Sequence, residues 1–330
     1  MKAVALISGG LDSFLAAKII QNQGVKVNGV YFLMPFCRQD KAGLNNSAME
    51  KMAERLNLKL RVKYSGKEYL KIVENPRYGY GKNLNPCIDC KILMLKQAKK
   101  IMNDSGAKFI ITGEVLGQRP MSQNRQSLNL IEKQSGLKGY LLRPLSAKLF
   151  EPTVAETKSW INREKLLDIN GRARTTQMEL AKQFGITEYL QPAGGCLLTE
   201  PSFCRRLEEL FNREEYCIDN VELLKVGRHF RVKSNFKLVV GRNEKENEKL
   251  FKLAKKTDAY FEPQELAGPT GLGRGAVDEE AKKISAKIIA RYTLPKRKIK
   301  VKVKIPFSGK KEEIILAQSL GEKKLKQLML

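Results

Sequence analysis

The sequence predicts an α/β fold, with a doubly wound, mostly parallel sheet in the first part of the chain and a smaller α+β domain after it. Two patterns predict this arrangement. Apolar strand-like segments alternate with amphipathic helical segments over the first 112 residues, which is typical of parallel sheets. Near Asp219 the pattern changes to short β-like pieces, a charged helix and a glycine-rich stretch.

The first domain is predicted from four strands and three helices. Ligands of such sheets bind at the carboxyl ends of the strands, so the residues that follow each strand are the candidate site. The strand candidates are Lys2–Ile7, Lys26–Phe32, Lys59–Lys63 and Lys108–Thr112, and the helix candidates are Leu11–Gln23, Asn46–Leu56 and Cys90–Ser105.

The whole chain divides, on this interpretation, into four segments. Residues 1–150 form the α/β domain, 151–218 a mainly helical extension, 219–311 a basic α+β domain and 312–330 a Lys-rich tail. The α+β domain is predicted to contain the strand-like pieces Val221–Val226, His229–Val232 and Phe236–Val240, the helix Glu244–Ala254 and the glycine-rich stretch Gly268–Gly275.

A glycine-rich turn follows the first strand. The sequence Ser8-Gly9-Gly10-Leu11-Asp12-Ser13 connects an apolar strand to a helix, an arrangement that places backbone N–H groups and a helix N-terminus in front of an anion. The turn lacks the Lys of the common NTPase P-loop. We therefore predict a phosphate cradle of another kind, and glycine-serine turns without any ligand are the alternative.

The charge predicts a polyanionic partner. The chain has 61 Lys and Arg against 35 Asp and Glu, a formal net charge of +26. Lys298, Lys300, Lys302 and Lys304 alternate with aliphatic residues, which predicts a strand with all four lysines on one face, available to a phosphate backbone. No signal peptide or long apolar run is evident, and we expect a cytoplasmic protein that does not bind membranes.

The cysteines suggest metal or sulfur chemistry. Cys87 and Cys90 form a C-x-x-C unit at a predicted helix start, and Cys196 follows two glycines. These three thiolates could bind a [4Fe–4S] cluster and leave one iron open. Zinc, or a persulfide that a second Cys resolves, are the alternatives. We interpret Cys37, Cys204 and Cys217 as structural.

Three further motifs carry a family resemblance. They span residues 85–91 (NPCIDCK), 112–123 (TGEVLGQRPMSQ) and 141–145 (LLRPL). Together with the cradle they resemble the PP-loop tRNA thiolation enzymes, closest to the 4-thiouridine synthase type and also similar to the 2-thiouridine synthases. The resemblance covers about residues 1–200 and implies a PP-loop, adenine nucleotide alpha hydrolase-like fold. Residues 221–275, especially 235–248, resemble the RNA-binding module of the NFACT factors.

The resemblance implies a reaction and its residues. ATP would adenylate a uridine carbonyl of tRNA, and sulfur would then replace the oxygen. Ser8, Gly9, Gly10 and Ser13 would hold the pyrophosphate, and Asp12 would act through Mg²⁺. Gly113, Glu114, Gln118 and Ser122 would line the nucleotide or nucleobase pocket, and Cys87, Cys90 and Cys196 would carry the sulfur. Arg242 and the four lysines would contact RNA. Arg143 would contact phosphate or form a structural ion pair.

Two features depart from the 4-thiouridine synthases. The THUMP region that precedes their PP-loop and a rhodanese-type segment are both missing from this sequence, so sulfide or a cysteine desulfurase-type carrier is the expected donor. Two other functions remain open: a PP-loop enzyme that transfers nitrogen to a small molecule, and a non-catalytic RNA- or ribosome-binding protein.

Overall fold

The computed structural model describes residues 1–37, 48–187, 189, 196–294, 298–306 and 312–330. Their contacts divide the chain into two compact units, Met1–Glu200 and Pro201–Leu330. None of the helices in these described ranges is both long and apolar enough to cross a bilayer. The four-segment boundaries stay a prediction.

The first unit contains a five-stranded parallel sheet, which confirms the predicted fold class. The strand order is β3-β2-β1-β4-β5. The strands are β1 (Lys2–Leu6), β2 (Lys26–Leu33), β3 (Lys59–Tyr64), β4 (Ile110–Thr112) and β5 (Leu141–Leu142). The helices are α1 (Leu11–Gln21), α2 (Ala48–Arg55), α3 (Lys67–Glu74), α4 (Cys87–Asp104), α5 (Arg125–Ser135), α6 (Val154–Thr157) and α7 (Thr175–Gln183).

The order of the sheet places β1 at its centre, between β2 and β4. The reason is visible in the sequence, since β1 is apolar at Ala3, Val4 and Ala5, all of them at most 1% exposed. The carboxyl ends of β1 and β4 are therefore neighbours. The predicted start of α2 at Asn46 lies outside the described residues.

The second unit contains a six-stranded antiparallel sheet in the order β11-β10-β8-β9-β7-β6. Its strands are β6 (Arg228–Lys233), β7 (Phe236–Val240), β8 (Ala259–Pro263), β9 (Gly271–Gly275), β10 (Ile299–Lys304) and β11 (Glu313–Ala317). Its helices are α8 (Pro201–Phe211), α9 (Ile218–Leu223), α10 (Glu244–Leu253), α11 (Glu279–Tyr292) and α12 (Glu322–Leu328). One face of the sheet carries the core residues Phe230, Phe236, Phe261 and Val301, with α11 packed among them.

One predicted strand was wrong. Residues Val221–Val226 are not a strand, because α9 covers Ile218–Leu223 and the chain then turns into β6. Cys217 caps α9 and Asp219 lies in its first turn, where a carboxylate stabilises the helix N-terminus. A short apolar run does not distinguish a buried helix from a strand.

Candidate nucleotide and sulfur site

The turn after β1 is held in shape by its own serines. The Ser13 hydroxyl donates to the Gly10 carbonyl oxygen at 2.7 Å, and the Ser8 N–H donates to Ser13 Oγ at 3.2 Å. Gly9 has φ of 79°, a backbone conformation that other residues rarely adopt. These contacts give the turn a defined shape, and the N-terminus of α1 opens onto it.

The end of β4 touches this turn. A Cβ atom added at Gly113 would lie 2.4 Å from the Asp12 carbonyl carbon and 2.5 Å from Ser13 N, so only glycine allows this approach. This contact brings the motif at 112–123 against the cradle, as expected for neighbouring strand ends.

Asp12 is held by two side chains. Arg174 Nη2 lies 3.1 Å from Asp12 Oδ1, and Gln118 Nε2 donates to Asp12 Oδ2 at 3.1 Å. Gln118 was singled out from the sequence and Arg174 was not. Arg174 comes from the start of α7, 162 positions away in the chain, and no local pattern connects it to the cradle.

Glu114 is the centre of a buried ion-pair network. It accepts hydrogen bonds from Lys91 Nζ, from Thr112 Oγ1 at 3.2 Å and from Arg143 Nε at 3.2 Å. Burial by itself would raise the pKa of Glu114, but the Lys91 and Arg143 cations lower it to about 2. Glu114 is therefore a permanent carboxylate, and it is not available as a proton donor.

Arg143 has a structural place in this network. It is 4% exposed and also binds Glu132 Oε2 at 2.8 Å and the Leu128 carbonyl oxygen at 3.2 Å. The sequence left open whether Arg143 contacts phosphate or forms a structural ion pair. The contacts that the structure describes are those of a structural ion pair. Ser122, another predicted pocket residue, is 2% exposed on the loop after Gly117.

Lys91 connects the cysteine motif to the cradle. It follows Cys90 directly and binds Glu114, which in turn follows Gly113. Cys90 is thus linked through Lys91 to Glu114, and Gly113, the residue before Glu114, packs against the Asp12 backbone. The ion pair between Lys91 and Glu114 was not predicted from the sequence, although the sequence shows that Lys91 directly follows the C-x-x-C unit.

The cysteine motif begins α4, and a fourth cysteine joins it. Cys196 and Cys37 lie directly opposite each other in an isolated antiparallel bridge, and Leu197 N donates to the Phe36 carbonyl oxygen at 2.9 Å. Asn83 Nδ2 also donates to the Thr199 carbonyl oxygen at 2.8 Å, which ties the segment before Cys87 to the one after Cys196. The interpretation of Cys37 as a structural cysteine stays a prediction, and its position opposite Cys196 was not expected from the sequence.

The thiols share one buried neighbourhood. Burial raises the pKa of Cys87, of Cys90 to about 12, and of Cys196, and neighbouring thiols add to the increase for Cys90 and Cys196. Lys91 and Arg119 act in the opposite direction on Cys87. The unliganded thiols are therefore neutral at physiological pH.

This arrangement does not by itself form a metal site. Within the described part of the chain, no three His, Cys, Asp or Glu side chains are grouped so that they could hold a metal ion. The loop Pro192–Gly195, singled out for its glycines, lies outside the described residues. The assignment of a cluster to Cys87, Cys90 and Cys196 stays a prediction.

Comparison with known proteins identifies both units in part. Residues 1–151 match the family of the thiamine biosynthesis protein (ThiI), and residues 227–329 match the NFACT protein RNA binding domain. The predicted resemblance to PP-loop tRNA thiolation enzymes is confirmed. So is the resemblance of the second unit to the NFACT module.

Individual curated relatives are similar to part of the chain. A probable tRNA sulfurtransferase of Thermococcus kodakarensis is 32% identical over 44% of this chain and 36% of its own length. The tRNA-specific 2-thiouridylase MnmA of a Nitratiruptor species is 30% identical over 34% of each chain. The chain thus spans about a third of the length of these curated relatives. A crystal structure of a 4-thiouridine synthetase–RNA complex with bound ATP aligns with a TM-score of 0.39 and 22% identity, over 68% of this chain and 52% of that one.

The predicted RNA contacts lie in the second unit. The alternation of Lys300, Lys302 and Lys304 with buried Val301 and Val303 in β10 is confirmed. Arg242 is 49% exposed and pairs with Glu246 at 2.7 Å beside the start of α10. That these side chains contact RNA stays a prediction.

Proposed function

We propose that this protein is an ATP-dependent tRNA sulfurtransferase that makes 4-thiouridine or 2-thiouridine. The observation that carries the proposal is the connection through Lys91 and Glu114 between the cysteine motif and the cradle. The proposed site of ATP activation and the thiols of Cys87, Cys90 and Cys196 belong to the same unit, Met1–Glu200. The similarity of residues 1–151 to tRNA sulfurtransferases supports the same reaction.

The first step is activation of the uridine. A carbonyl oxygen leaves poorly as oxide, whereas it leaves readily as part of AMP. The uridine oxygen attacks the α-phosphorus of ATP, the bond between the α- and β-phosphates breaks, and pyrophosphate departs into the cradle of Ser8, Gly9, Gly10 and Ser13.

Arg174 and Asp12 adapt to the charge of the nucleotide. In the structure they pair with each other at 3.1 Å. We propose that with ATP bound, the Arg174 guanidinium turns to the phosphates and Asp12 turns to Mg²⁺, since guanidinium matches phosphate oxygens and a carboxylate suits a hard cation. Gln118 and the fixed carboxylate of Glu114 keep this end of the pocket in place.

The second step replaces the oxygen by sulfur at Cys87, Cys90 and Cys196. A [4Fe–4S] cluster there would supply a sulfide at the iron that has no cysteine ligand. The alternative is a persulfide whose terminal sulfur attacks the same carbon. A second Cys then attacks the inner sulfur, which breaks the S–S bond, releases the thiouridine and leaves a disulfide that an external thiol reductant returns to two thiols. On either route AMP departs with the original uridine oxygen.

The decisive test is the thiouridine content of tRNA. Mass spectrometry of tRNA nucleosides from cells that lack the protein should show one thiouridine lost. The wild-type chain should restore it, whereas Asp12→Ala and Cys196→Ala should not. Cys217→Ala is the matched control, because Cys217 lies outside the cysteine site at the start of α9. Unchanged thiouridines in the deletion would reject the proposal.

Purified protein separates the remaining candidates. With ATP, sulfide and unmodified tRNA, AMP and pyrophosphate should form in amounts equal to thiouridine. A protein that consumes no ATP under these conditions is a non-catalytic RNA-binding protein, and ATP consumption without tRNA indicates a small-molecule substrate. Anaerobic purification with iron and zinc analysis tests the cluster: about four irons per chain are expected. Zinc alone would exclude it.

A further inference from the structure

The outer face of β8, β10 and β11 has an unusual composition. The inner face is set by Phe261, Val301 and Val303, which lie in the core. The register then places Lys304 opposite Tyr260, Lys302 between Glu262 and Ile314, and Lys300 opposite Leu316, all on the outer face. Lysines thus alternate laterally with aromatic and aliphatic side chains.

The apolar members of this face are exposed. Ile314 is 53% exposed and Leu316 is 66% exposed. Strand side chains that serve only solubility are polar, and adjacent exposed aliphatic residues on one face indicate a surface that binds something. We call the outer-face side chains Tyr260, Lys300, Lys302, Lys304, Ile314 and Leu316, together with Phe251, the sheet platform.

Helix α10 forms one border of the sheet platform. It packs over β7 and β9 through Leu250, Val239 and Leu272, and Tyr260 contacts the same cluster. Phe251, on α10, stacks on the Tyr260 ring with a centroid distance of 5.1 Å and an interplanar angle of 27°. Phe251 is still 47% exposed, so the aromatic pair presents a ring surface next to the lysines.

Exposed ion pairs with described glutamates hold the lysines of β10. Lys300 pairs with Glu265 at 2.9 Å, and Glu312 lies 3.5 Å from Lys304 and 3.8 Å from Lys302. Exposed pairs contribute little to stability, and phosphate groups can displace such carboxylates.

From this composition we infer that the sheet platform binds an unpaired segment of RNA, stacking its bases on Phe251 and the apolar side chains while the lysines follow its phosphates. Duplex RNA hides its base faces and offers only backbone and groove, so it would not use exposed rings. Aromatic side chains beside lysines on an open sheet face are the combination that single-stranded nucleic acids require. The inference rests on the proposed tRNA substrate and names the kind of RNA structure that the second unit contacts.

The test uses the full chain and three fluorescent probes of about 12 nucleotides. They are oligoadenylate, its duplex with oligouridylate, and an abasic ribose-phosphate strand of equal length. Oligoadenylate should bind at least about tenfold more tightly than the other two. Equal binding of the abasic strand would overturn the inference, because stacking would then contribute nothing.

Variants separate stacking from charge. Phe251→Leu keeps an apolar contact on Tyr260 and should weaken oligoadenylate binding about fivefold or more, with little change in binding of the abasic strand. Tyr140→Leu, at a tyrosine 42% exposed in the first unit, is the control and should bind normally. If Phe251→Leu binds all three probes as the wild type does, the inference is wrong.

Removing positive and negative charges from the sheet platform should change RNA binding in opposite directions. Lys300→Gln, Lys302→Gln and Lys304→Gln together should reduce the slope of log affinity against log salt by about 2, whereas Glu312→Gln should tighten binding. Self-association of the chain through this face, without RNA binding, would assign it to protein contact and overturn the inference. Failure here leaves the thiolation proposal standing, because its test depends on Asp12 and Cys196.

Discussion

The first unit and the second unit use charge in opposite ways. Around Glu114 the charges are buried, paired and multiply hydrogen-bonded, and they hold the strand ends in one geometry. On the sheet platform the charges are exposed, and the three lysines pair with two exposed glutamates, Glu265 and Glu312. The difference shows which charges stabilise the fold and which are available to bind a ligand. Breaking a buried ion pair costs much free energy, whereas a ligand can replace one partner of an exposed pair at little cost.

Removal of the Glu114 charge should have the largest effect. Glu114→Gln leaves the Lys91 and Arg143 cations without their shared carboxylate, and we expect a loss of about 3–5 kcal/mol in unfolding free energy. Trp160 is the only tryptophan and packs against the core of the first unit, so its fluorescence reports this unit in denaturant. Glu164→Gln is the control, since its side chain is 86% exposed beside Lys148. Equal stability of the two variants would contradict the comparison.

A methyl group at Gly113 should cost about 1–3 kcal/mol and disturb the cradle. The added carbon would meet the Asp12 backbone at 2.4 Å, so α1 or β4 must shift. Affinity for ATP, measured by calorimetry, should fall in Gly113→Ala. The matched variant Gly10→Ala meets only Ser8 Oγ at 3.5 Å, an ordinary contact, and should fold normally. Unaltered stability and affinity in Gly113→Ala would show that the close approach is not rigid.

Acid should destabilise the second unit through its only histidine. Burial, and then Lys237 and Arg206, lower the pKa of His229 well below its usual value, and His229 is 2% exposed. The fold therefore favours the neutral ring. Its contribution is complete above the unfolded pKa of about 6.5 and is lost as pH falls below it, by up to about 1.4 kcal/mol per pH unit.

Hydrogen exchange of β6 and β7 at pH 7.5 and pH 5.5 measures this effect. His229→Phe should lose less protection between the two pH values than the wild type does, because no buried ring has to be protonated on unfolding. A variant with the same pH dependence as the wild type would argue against a neutral buried ring.

Substitution of the exposed lysines should have the smallest effect on stability. Lys300→Gln, Lys302→Gln and Lys304→Gln together remove three surface pairs, and we expect a change of roughly 1 kcal/mol or less in unfolding free energy. Chemical denaturation followed by circular dichroism tests this. A loss comparable with that of Glu114→Gln would mean that the two units do not differ as described.

Much of the fold was predictable because local patterns carried it. The strand–turn–helix at β1, the C-x-x-C at the start of α4 and the alternation in β10 each follow from residues close together in the chain. The strand prediction failed where tertiary burial, and not local pattern, determines whether a segment is a helix or a strand. Val221–Val226 is apolar enough for either element, and its first half lies in α9, where Val221 and Leu223 are buried.

The features of the site that could not be predicted from the sequence are contacts between residues far apart in the chain. The sequence by itself determined which chemical groups are present: a glycine-rich turn after the first strand, a set of thiols and a strand with one lysine face. Only the tertiary structure decided that Arg174 lies on Asp12, that Cys37 faces Cys196, and that Lys91 binds Glu114. Sequence periodicity predicts on which face of its own helix or strand a side chain lies. These pairs instead join elements that are distant in the chain and meet only when the sheet and its loops assemble.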